Sequence, residues 1–130
     1  MTKLTHIDAS GRAQMVDVSS KDVTQRTATA EGKVLMSQEA FDLSEPNKKG
    51  DPIAIAELAG IMGAKKTSDL IPLCHPLQLN KVSVQITPLK AEIGYGVTAT
   101  AKTDSKTGVE MEALSGVSIA CLTLTTCSKL

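Results

Sequence analysis

The stretch KVSVQITPLKAEIGYGVTATAK, residues 81–102, sets the predicted fold. Hydrophobic residues occupy every second position in both of its halves. They are Val82, Val84 and Ile86 in the first half, and Ile93, Tyr95, Val97, Ala99 and Ala101 in the second. Alternation with a period of two is typical of a strand that buries one face. Because a short link that contains proline joins the halves, we expect a β-hairpin.

Two short patterns precede the hairpin. RTATAEGKVLM, residues 26–36, alternates polar with small apolar residues and predicts a strand. SQEAFDL, residues 37–43, predicts a short helix with Ser37 as its N-cap. SEPNKKGDP, residues 44–52, ends that helix, because proline and glycine break regular structure.

Two longer helices are predicted on either side of the hairpin. The first covers residues 53–66, with Pro52 in its first turn, where a missing N–H costs nothing. Its many glycines and alanines indicate close approach to another element or subunit, because an interior glycine otherwise weakens a helix by about 1 kcal/mol relative to alanine. The second helix is predicted within residues 113–124. Its apolar residues at helical spacing are Leu114, Val117, Cys121 and Leu124.

The order strand, helix, helix, hairpin, helix predicts an α+β fold, with helices covering one face of an antiparallel sheet. No strand is expected after the last helix, so we expect an unpaired sheet edge. Residues 1–22 show no sustained period and predict an N-terminal arm, whereas residues 23–130 predict one α+β domain that is truncated at its C-terminus. A chain of 130 residues fits a single core, since domains most often have about 100–150 residues.

Composition excludes several classes of protein. Lys+Arg and Asp+Glu each number 14, so the uniformly positive field of a general nucleic-acid binder is absent. No apolar run reaches the ~18 residues of a membrane span, and the N-terminus lacks a signal peptide, so we expect a cytoplasmic protein without a membrane partner. Cys74, Cys121 and Cys127 form an odd set without a CxxC pair, which disfavours disulfides and a zinc ribbon. Only Phe41 and Tyr95 are aromatic, and such a chain is a candidate for burying more surface by self-association.

The stiffest segment is SDLIPLCHPLQL, residues 68–79, in which Pro72 and Pro76 restrict the backbone around His75. Two interpretations stay open. His75 satisfies a hydrogen bond in a structural turn, or it is a positioned acid, base or phosphate donor. A zinc site is disfavoured, because the other Cys, His and acidic residues lack ligand spacing.

Three groups of lysines lie near glycine turns or a helix C-terminus. They are Lys48 with Lys49, Lys65 with Lys66, and Lys102 with Lys106. Lysine supplies point charges for phosphate, and turns offer backbone N–H groups, so the groups together predict a polyphosphate ligand. The alternative is that they are solvated charges, and that Lys65 and Lys66 interact with the helix dipole.

KTGVEMEAL, residues 106–114, places Glu110 and Glu112 two positions apart. In a regular helix these side chains would point to nearly opposite sides, whereas in an extended segment both would project the same way. If the two carboxylates act together, the helix is therefore expected to begin after them. The alternative is that they are acids in a first helical turn, where the dipole favours negative charge.

The same stretches resemble the cyclic pyranopterin monophosphate synthase family, also called molybdenum cofactor biosynthesis protein C or MoaC. The similar segments are LTHIDASGRAQMVDVSSK, KKGDPIAIAELAGIMGAKKTSDLIPLCHPL and KTGVEMEALSGVSIACLTL. This resemblance covers nearly the whole chain. It implies a ferredoxin-like fold, a homohexamer built as a trimer of dimers, and an active site between subunits. It also implies conversion of a cyclic dihydroguanosine triphosphate to cyclic pyranopterin monophosphate and pyrophosphate, without a metal or an organic cofactor.

The resemblance also implies which residues form the site. The catalytic positions are Lys49, His75, Glu110, Glu112, Thr126 at the position of a family aspartate, and Lys129. The substrate-binding positions are Asp17, Arg26, Lys65, Lys66, Cys74 and Met111.

The C-terminus departs from the family pattern. Where the family typically has Tyr-Asp-Met-Cys-Lys, this sequence has TTCSK, residues 125–129, and Thr126 cannot replace a carboxylate base. The family's final strand and glycine-rich tail have no counterpart. We therefore expect the family's architecture with weak or no turnover, and we do not expect Thr126→Asp alone to restore activity. The alternative is a non-catalytic nucleotide-binding or assembly subunit.

Overall fold

A computed structural model describes residues 4–45 and 50–127, and its elements confirm the predicted order. The strands are β1 (Thr24–Leu35), β2 (Lys81–Leu89) and β3 (Gly94–Ser105), and the helices are α1 (Gln38–Leu43), α2 (Pro52–Lys65), α3 (Thr67–Leu70) and α4 (Glu110–Cys127). Only the short helix α3 was not expected. The predicted α+β class is confirmed, and the arrangement is consistent with a ferredoxin-like fold.

The sheet is antiparallel, with the strand order β1-β3-β2. At its centre Ala99 of β3 lies between Ala30 of β1 and Val84 of β2. The predicted hairpin is confirmed, but its turn is shifted. Leu89 pairs with Gly94 and extends β2, so Ile93 lies in the turn with a φ of 61°, outside the alternating strand.

The helices cover the face of the sheet that carries the predicted alternating residues. Tyr95, Val97, Ala99 and Ala101 of β3 are all buried. The two aromatic rings meet in this layer, where the ring centroid of Phe41 lies 5.2 Å from that of Tyr95. Helix α1 begins after Ser37, whose hydroxyl accepts a hydrogen bond from the Ala40 N–H, as predicted.

Close packing of α2 against α4 explains the many small residues. A Cβ atom at Gly60 would lie 2.9 Å from the carbonyl oxygen of Gly116, and one at Gly63 would lie 2.6 Å from Cγ1 of Ile119. Both distances are too short for a real side chain, so any larger residue at either position would force its neighbour to move. The predicted close approach is therefore confirmed as a contact between two helices of the same chain.

The buried face of α4 differs from the predicted one. Leu114 is 48% exposed, so its assignment to the apolar stripe is wrong. Val117 and Leu124 are buried as expected, and Cys121 is partly buried. Small residues such as Ala113 and Ala120 complete the stripe, because they let α4 approach α2 and the sheet closely.

The first residues form a turn and little regular structure. Ile7 and Ala13 make an isolated antiparallel bridge, and the Asp8 carboxylate accepts hydrogen bonds from the backbone N–H groups of Ser10 and Arg12. β1 begins at Thr24. The division into an arm of residues 1–22 and one domain stays a prediction.

Within residues 4–45 and 50–127, none of the helices combines the length and apolar character that a membrane span requires.

Candidate active site

Five of the predicted site residues line one cavity of about 320 Å³. They are Cys74, His75, Glu110, Met111 and Glu112. The walls come from three parts of the chain: the first 21 residues, the loop at residues 73–77, and the start of α4 with the turn before it. The fold therefore brings the proline-flanked histidine and both carboxylates to one place.

His75 is fixed by the backbone of the N-terminal segment. Its Nε2 lies 2.6 Å from the carbonyl oxygen of Val16, and its ring is partly buried. The loop reaches this position through Leu73, which has a φ of 72°. The structure thus contains the hydrogen bond of the structural interpretation, and it also places the ring in the cavity wall that the functional interpretation requires.

The start of α4 after the glutamates, expected if they act together, is not observed, and the alternative placement in the first helical turn is confirmed. Glu110 is the first residue of α4, and both carboxylates lie in its first turn. They nevertheless line the same cavity, together with Met111 between them. Helical geometry therefore does not separate the two side chains here.

The two carboxylates have different environments. Glu110 is exposed, whereas Glu112 is 4% exposed. Burial raises the pKa of Glu112 above its ordinary value, and the negative charge of Glu110 adds to the rise, while a backbone hydrogen bond opposes it. Glu112 therefore binds a proton more readily than an ordinary glutamate does, and in its neutral form it can donate that proton.

Gly108 leaves room for the carboxylate of Glu110. A Cβ atom at position 108 would lie 2.6 Å from Oε1 of Glu110, so an alanine there would require this carboxylate to move. We expect Gly108→Ala to displace Glu110 and to lower turnover about 10-fold or more, since small misplacements in a site are costly. The unfolding midpoint is expected to change little, because the contact is with the mobile end of a side chain.

Steady-state kinetics and thermal unfolding of the Gly108→Ala protein check this. Gly96→Ala is a matched control, because a Cβ there would meet its neighbours no closer than 3.6 Å. Equal turnover in the two variants would contradict the assigned role of Gly108.

Asp17 lies beside the cavity and does not line it. Its carboxylate accepts a hydrogen bond from the Ser19 N–H at 2.9 Å. The pKa of Asp17 is lowered first by the hydrogen bonds from Ser19 and then by the nearby charges of Lys106 and His75. Asp17 is therefore a fixed negative charge at the cavity edge.

The other predicted basic positions are farther away. Lys65 lines a neighbouring depression of about 390 Å³, which adjoins the cavity because Leu77 lines both. Lys66 caps the C-terminus of α2 and is exposed. Arg26 lies on β1, outside the cavity, and within the described part of the chain its buried Nε has no hydrogen-bond partner. Lys49 and Lys129, together with Lys48, lie outside the described residues.

The lysine groups do not all converge within one chain. Lys102 follows the buried Ala101 on β3, so its side chain projects from the opposite face of the sheet. The Nζ of Lys106 donates a hydrogen bond to the carbonyl oxygen of Ser19 at 3.2 Å. Lys102 and Lys106 therefore lie in different places within one chain, and the polyphosphate ligand of the lysine groups stays a prediction.

Thr126 lies at the far end of α4. A helix rises about 1.5 Å per residue, so Thr126 is roughly 24 Å from Glu110 along the axis. The side chain is exposed, and its hydroxyl donates to the carbonyl oxygen of Leu122 at 3.1 Å. Thr126 therefore cannot join the cavity of its own chain.

Cys74 forms an apolar part of the wall. Burial raises the pKa of its thiol, and the nearby Glu112 adds to this rise. Such a thiol stays protonated near neutral pH and is a poor nucleophile.

Sequence reasoning missed two ionisable cavity residues, His6 and Lys21. Both lie in the first segment of the family resemblance, and Lys21 is the one lysine or arginine among the described residues that line the cavity. No periodic pattern assigns either residue to a face. Only the position of the N-terminal segment against the loop at residues 73–77 shows their role.

Comparisons with known proteins agree with the motifs. The MoaC family model matches residues 15–129. A protein of Cereibacter sphaeroides named cyclic pyranopterin monophosphate synthase is 57% identical over 126 residues, which are 95% of this chain and 79% of the relative. Proteins of the same name from Dinoroseobacter shibae and Campylobacter jejuni are 56% and 53% identical, covering 95% and 94% of this chain and 80% and 79% of the relatives. The resemblance predicted from the sequence is thereby confirmed.

Proposed function

The chain belongs to the MoaC family, and from this membership we propose that it is a cyclic pyranopterin monophosphate synthase of molybdenum cofactor biosynthesis. It converts a cyclic dihydroguanosine triphosphate to cyclic pyranopterin monophosphate and pyrophosphate. The observation that carries the proposal is the single cavity that contains His75, Glu110 and Glu112.

The cavity offers both partners of proton transfer. Glu112, whose pKa is raised by burial, acts as the acid. His75 has one ring nitrogen engaged by Val16, and its other nitrogen acts as the base. Glu110, at the exposed rim, orients polar groups of the substrate.

Release of pyrophosphate leaves negative charge that cations must stabilise. Lys21 lies in the cavity wall, and Lys65 in the adjoining depression. We assign Arg26, Lys66, Lys49 and Lys129 to the same task, with Asp17, Cys74 and Met111 shaping the site. The orphaned Nε of Arg26 supports a ligand or a neighbouring chain at that position.

A second subunit completes the proposed site. Support comes from Thr126, which lies far from the cavity of its own chain. Further support comes from exposed apolar side chains on the two long helices. They are Ile55, Leu58 and Met62 of α2, and Leu114 and Leu122 of α4. We propose a homohexamer, built as a trimer of dimers, for which light scattering provides a direct test.

The proposal also covers the cellular location and the partners of the protein. We assign it to the cytoplasm, with a small-molecule substrate and without a nucleic-acid or membrane partner. The equal numbers of basic and acidic residues support the absence of a nucleic-acid partner.

Purified protein incubated with the cyclic triphosphate tests the function. We expect binding, and turnover about 100-fold or more below that of the named relatives, because Thr126 cannot supply the carboxylate that the resemblance places there. Product and pyrophosphate are measured together. Failure to bind the triphosphate contradicts the proposed function, and turnover equal to that of the relatives contradicts the role given to Thr126.

A non-catalytic subunit is the second candidate function. Thr126 favours it, since its hydroxyl is bonded to the helix backbone and carries no charge. In this case the chain binds the triphosphate without turnover and assembles with an intact homologue. Native mass spectrometry of the mixed proteins distinguishes the two candidates.

A further inference from the structure

The N-terminal segment is tied to the site at two points three residues apart. The carbonyl oxygen of Val16 lies 2.6 Å from Nε2 of His75. The carbonyl oxygen of Ser19 accepts a hydrogen bond from Nζ of Lys106 at 3.2 Å. Between them, Asp17 accepts from the Ser19 N–H, which closes a tight turn. Residues 16–19 are therefore held between the histidine and the turn that precedes α4.

The turn that carries Lys106 is itself well defined. The Ser105 hydroxyl donates to the carbonyl oxygen of Thr107 at 2.6 Å, and the Lys106 side chain is partly buried. Because β3 precedes this turn and α4 follows it, its position is fixed by the sheet and the longest helix. Lys106 thus connects a rigid part of the fold to a segment with little regular structure.

The bond to Val16 determines where His75 carries its proton. A carbonyl oxygen only accepts hydrogen bonds, so Nε2 must carry hydrogen. In the neutral ring Nδ1 is then the unprotonated nitrogen. Among the described residues, Nδ1 has no hydrogen-bond partner, so it is available to a bound substrate.

We propose that Lys106 is a positioning residue for His75. It holds the N-terminal segment so that the carbonyl group of Val16 fixes the Nε2–H tautomer, and Nδ1 is left as the proton acceptor. The effect on turnover rests on the proposed function, whereas the tautomer does not. This role differs from a phosphate-binding lysine, because Lys106 acts through the backbone of residues 16–19.

Lys106→Met in the full chain removes the donor and keeps the length of the side chain. Lys106→Arg retains a donor, and Lys102→Met is a matched control on the opposite face of the sheet. Long-range ¹H–¹⁵N correlation spectra report the tautomer of each imidazole, and His6→Gln assigns the two histidine signals. Single-turnover rates and triphosphate binding are measured on the same proteins.

We expect the Nε2–H tautomer in the unchanged protein and in Lys106→Arg and Lys102→Met. In Lys106→Met we expect a mixture of tautomers and a single-turnover rate about 10- to 100-fold lower, with binding within about 2-fold. An Nδ1–H tautomer in the unchanged protein overturns the proposal. So does an unaltered tautomer in Lys106→Met, whether binding weakens or not.

The proposed function and the positioning role of Lys106 can be tested separately. If the tautomers change as expected but no variant, nor the unchanged chain, binds or converts the triphosphate, then the proposed function is wrong and the positioning role stands. Unfolding curves identify any variant that has lost its fold. Lys106→Arg then decides the case, since loss of the tautomer in this folded, donor-retaining variant also overturns the proposal.

Discussion

Replacing Glu112 by Gln is expected to lower turnover by about 100-fold or more while raising stability at neutral pH. The first effect follows from the loss of a proton donor, because general acid catalysis typically accelerates a reaction by about 10²–10⁴-fold. The second follows from burial, because Glu112 is 4% exposed and its ionised form is unfavourable there. Such a residue lowers the stability of the folded protein but is needed for catalysis, a combination that is expected at an active site.

The pH dependence gives the sign of the stability effect. The folded protein raises the pKa of Glu112 above its ordinary value of 4.5. The stability that this shift contributes is fully present below pH 4.5 and is lost as the pH rises through the folded pKa. Glutamine stays neutral throughout. The unfolding midpoint of Glu112→Gln is therefore expected to match the unchanged protein in acid and to exceed it at neutral pH.

Thermal unfolding at several pH values, together with single-turnover kinetics, checks both effects. Glu110→Gln is the matched control for the stability effect alone, because it removes an exposed carboxylate at the same helix end and leaves Glu112 buried. If the unfolding midpoints of Glu112→Gln and the unchanged protein differ by the same amount at every pH, the assigned environment of Glu112 is contradicted. Retained turnover would contradict its role as an acid.

Replacing His75 is expected to have a comparably large effect. Both His75→Ala and His75→Gln remove the proton acceptor and are expected to lower turnover by about 10²–10⁴-fold. Glutamine retains an N–H that can donate to the carbonyl oxygen of Val16, whereas alanine does not. We therefore expect the N-terminal segment to stay protected from proteolysis in His75→Gln and to become more sensitive in His75→Ala.

Limited proteolysis and single-turnover kinetics of the two His75 variants test this separation. Substantial turnover in His75→Gln would show that hydrogen bonding to Val16, and not proton transfer, is what His75 supplies. Equal proteolysis of the two variants would show that the bond to Val16 does not hold the segment.

Periodic patterns predicted the strands and helices, but they misplaced a residue at the end of a strand and another on the face of a helix. Alternation placed β3 correctly, but it continued past the strand into Ile93, which the turn holds at a positive φ. Helical spacing identified α4, but Leu114 faces outward because alanine and glycine form the close-packed side. Hydrophobicity alone does not tell which side of a helix can approach a neighbour closely.

The site was predictable only in part for a similar reason. Proline on both sides marked His75, and the spacing of Glu110 and Glu112 marked the acids. The roles of Lys21 and Lys106 were not visible, because they depend on where residues 16–19 lie. That position is set by backbone carbonyl groups, which every residue has and which no side-chain pattern reveals.

A double-mutant cycle on His75 and Glu112 tests the central claim most directly, namely that the two residues act together in one cavity. Single-turnover rates are measured for His75→Gln, Glu112→Gln and the protein with both changes. If the residues work as a unit, the double variant loses about as much as either single variant, since such effects are far from additive. Losses that multiply would mean that the two side chains act independently and would contradict the shared site.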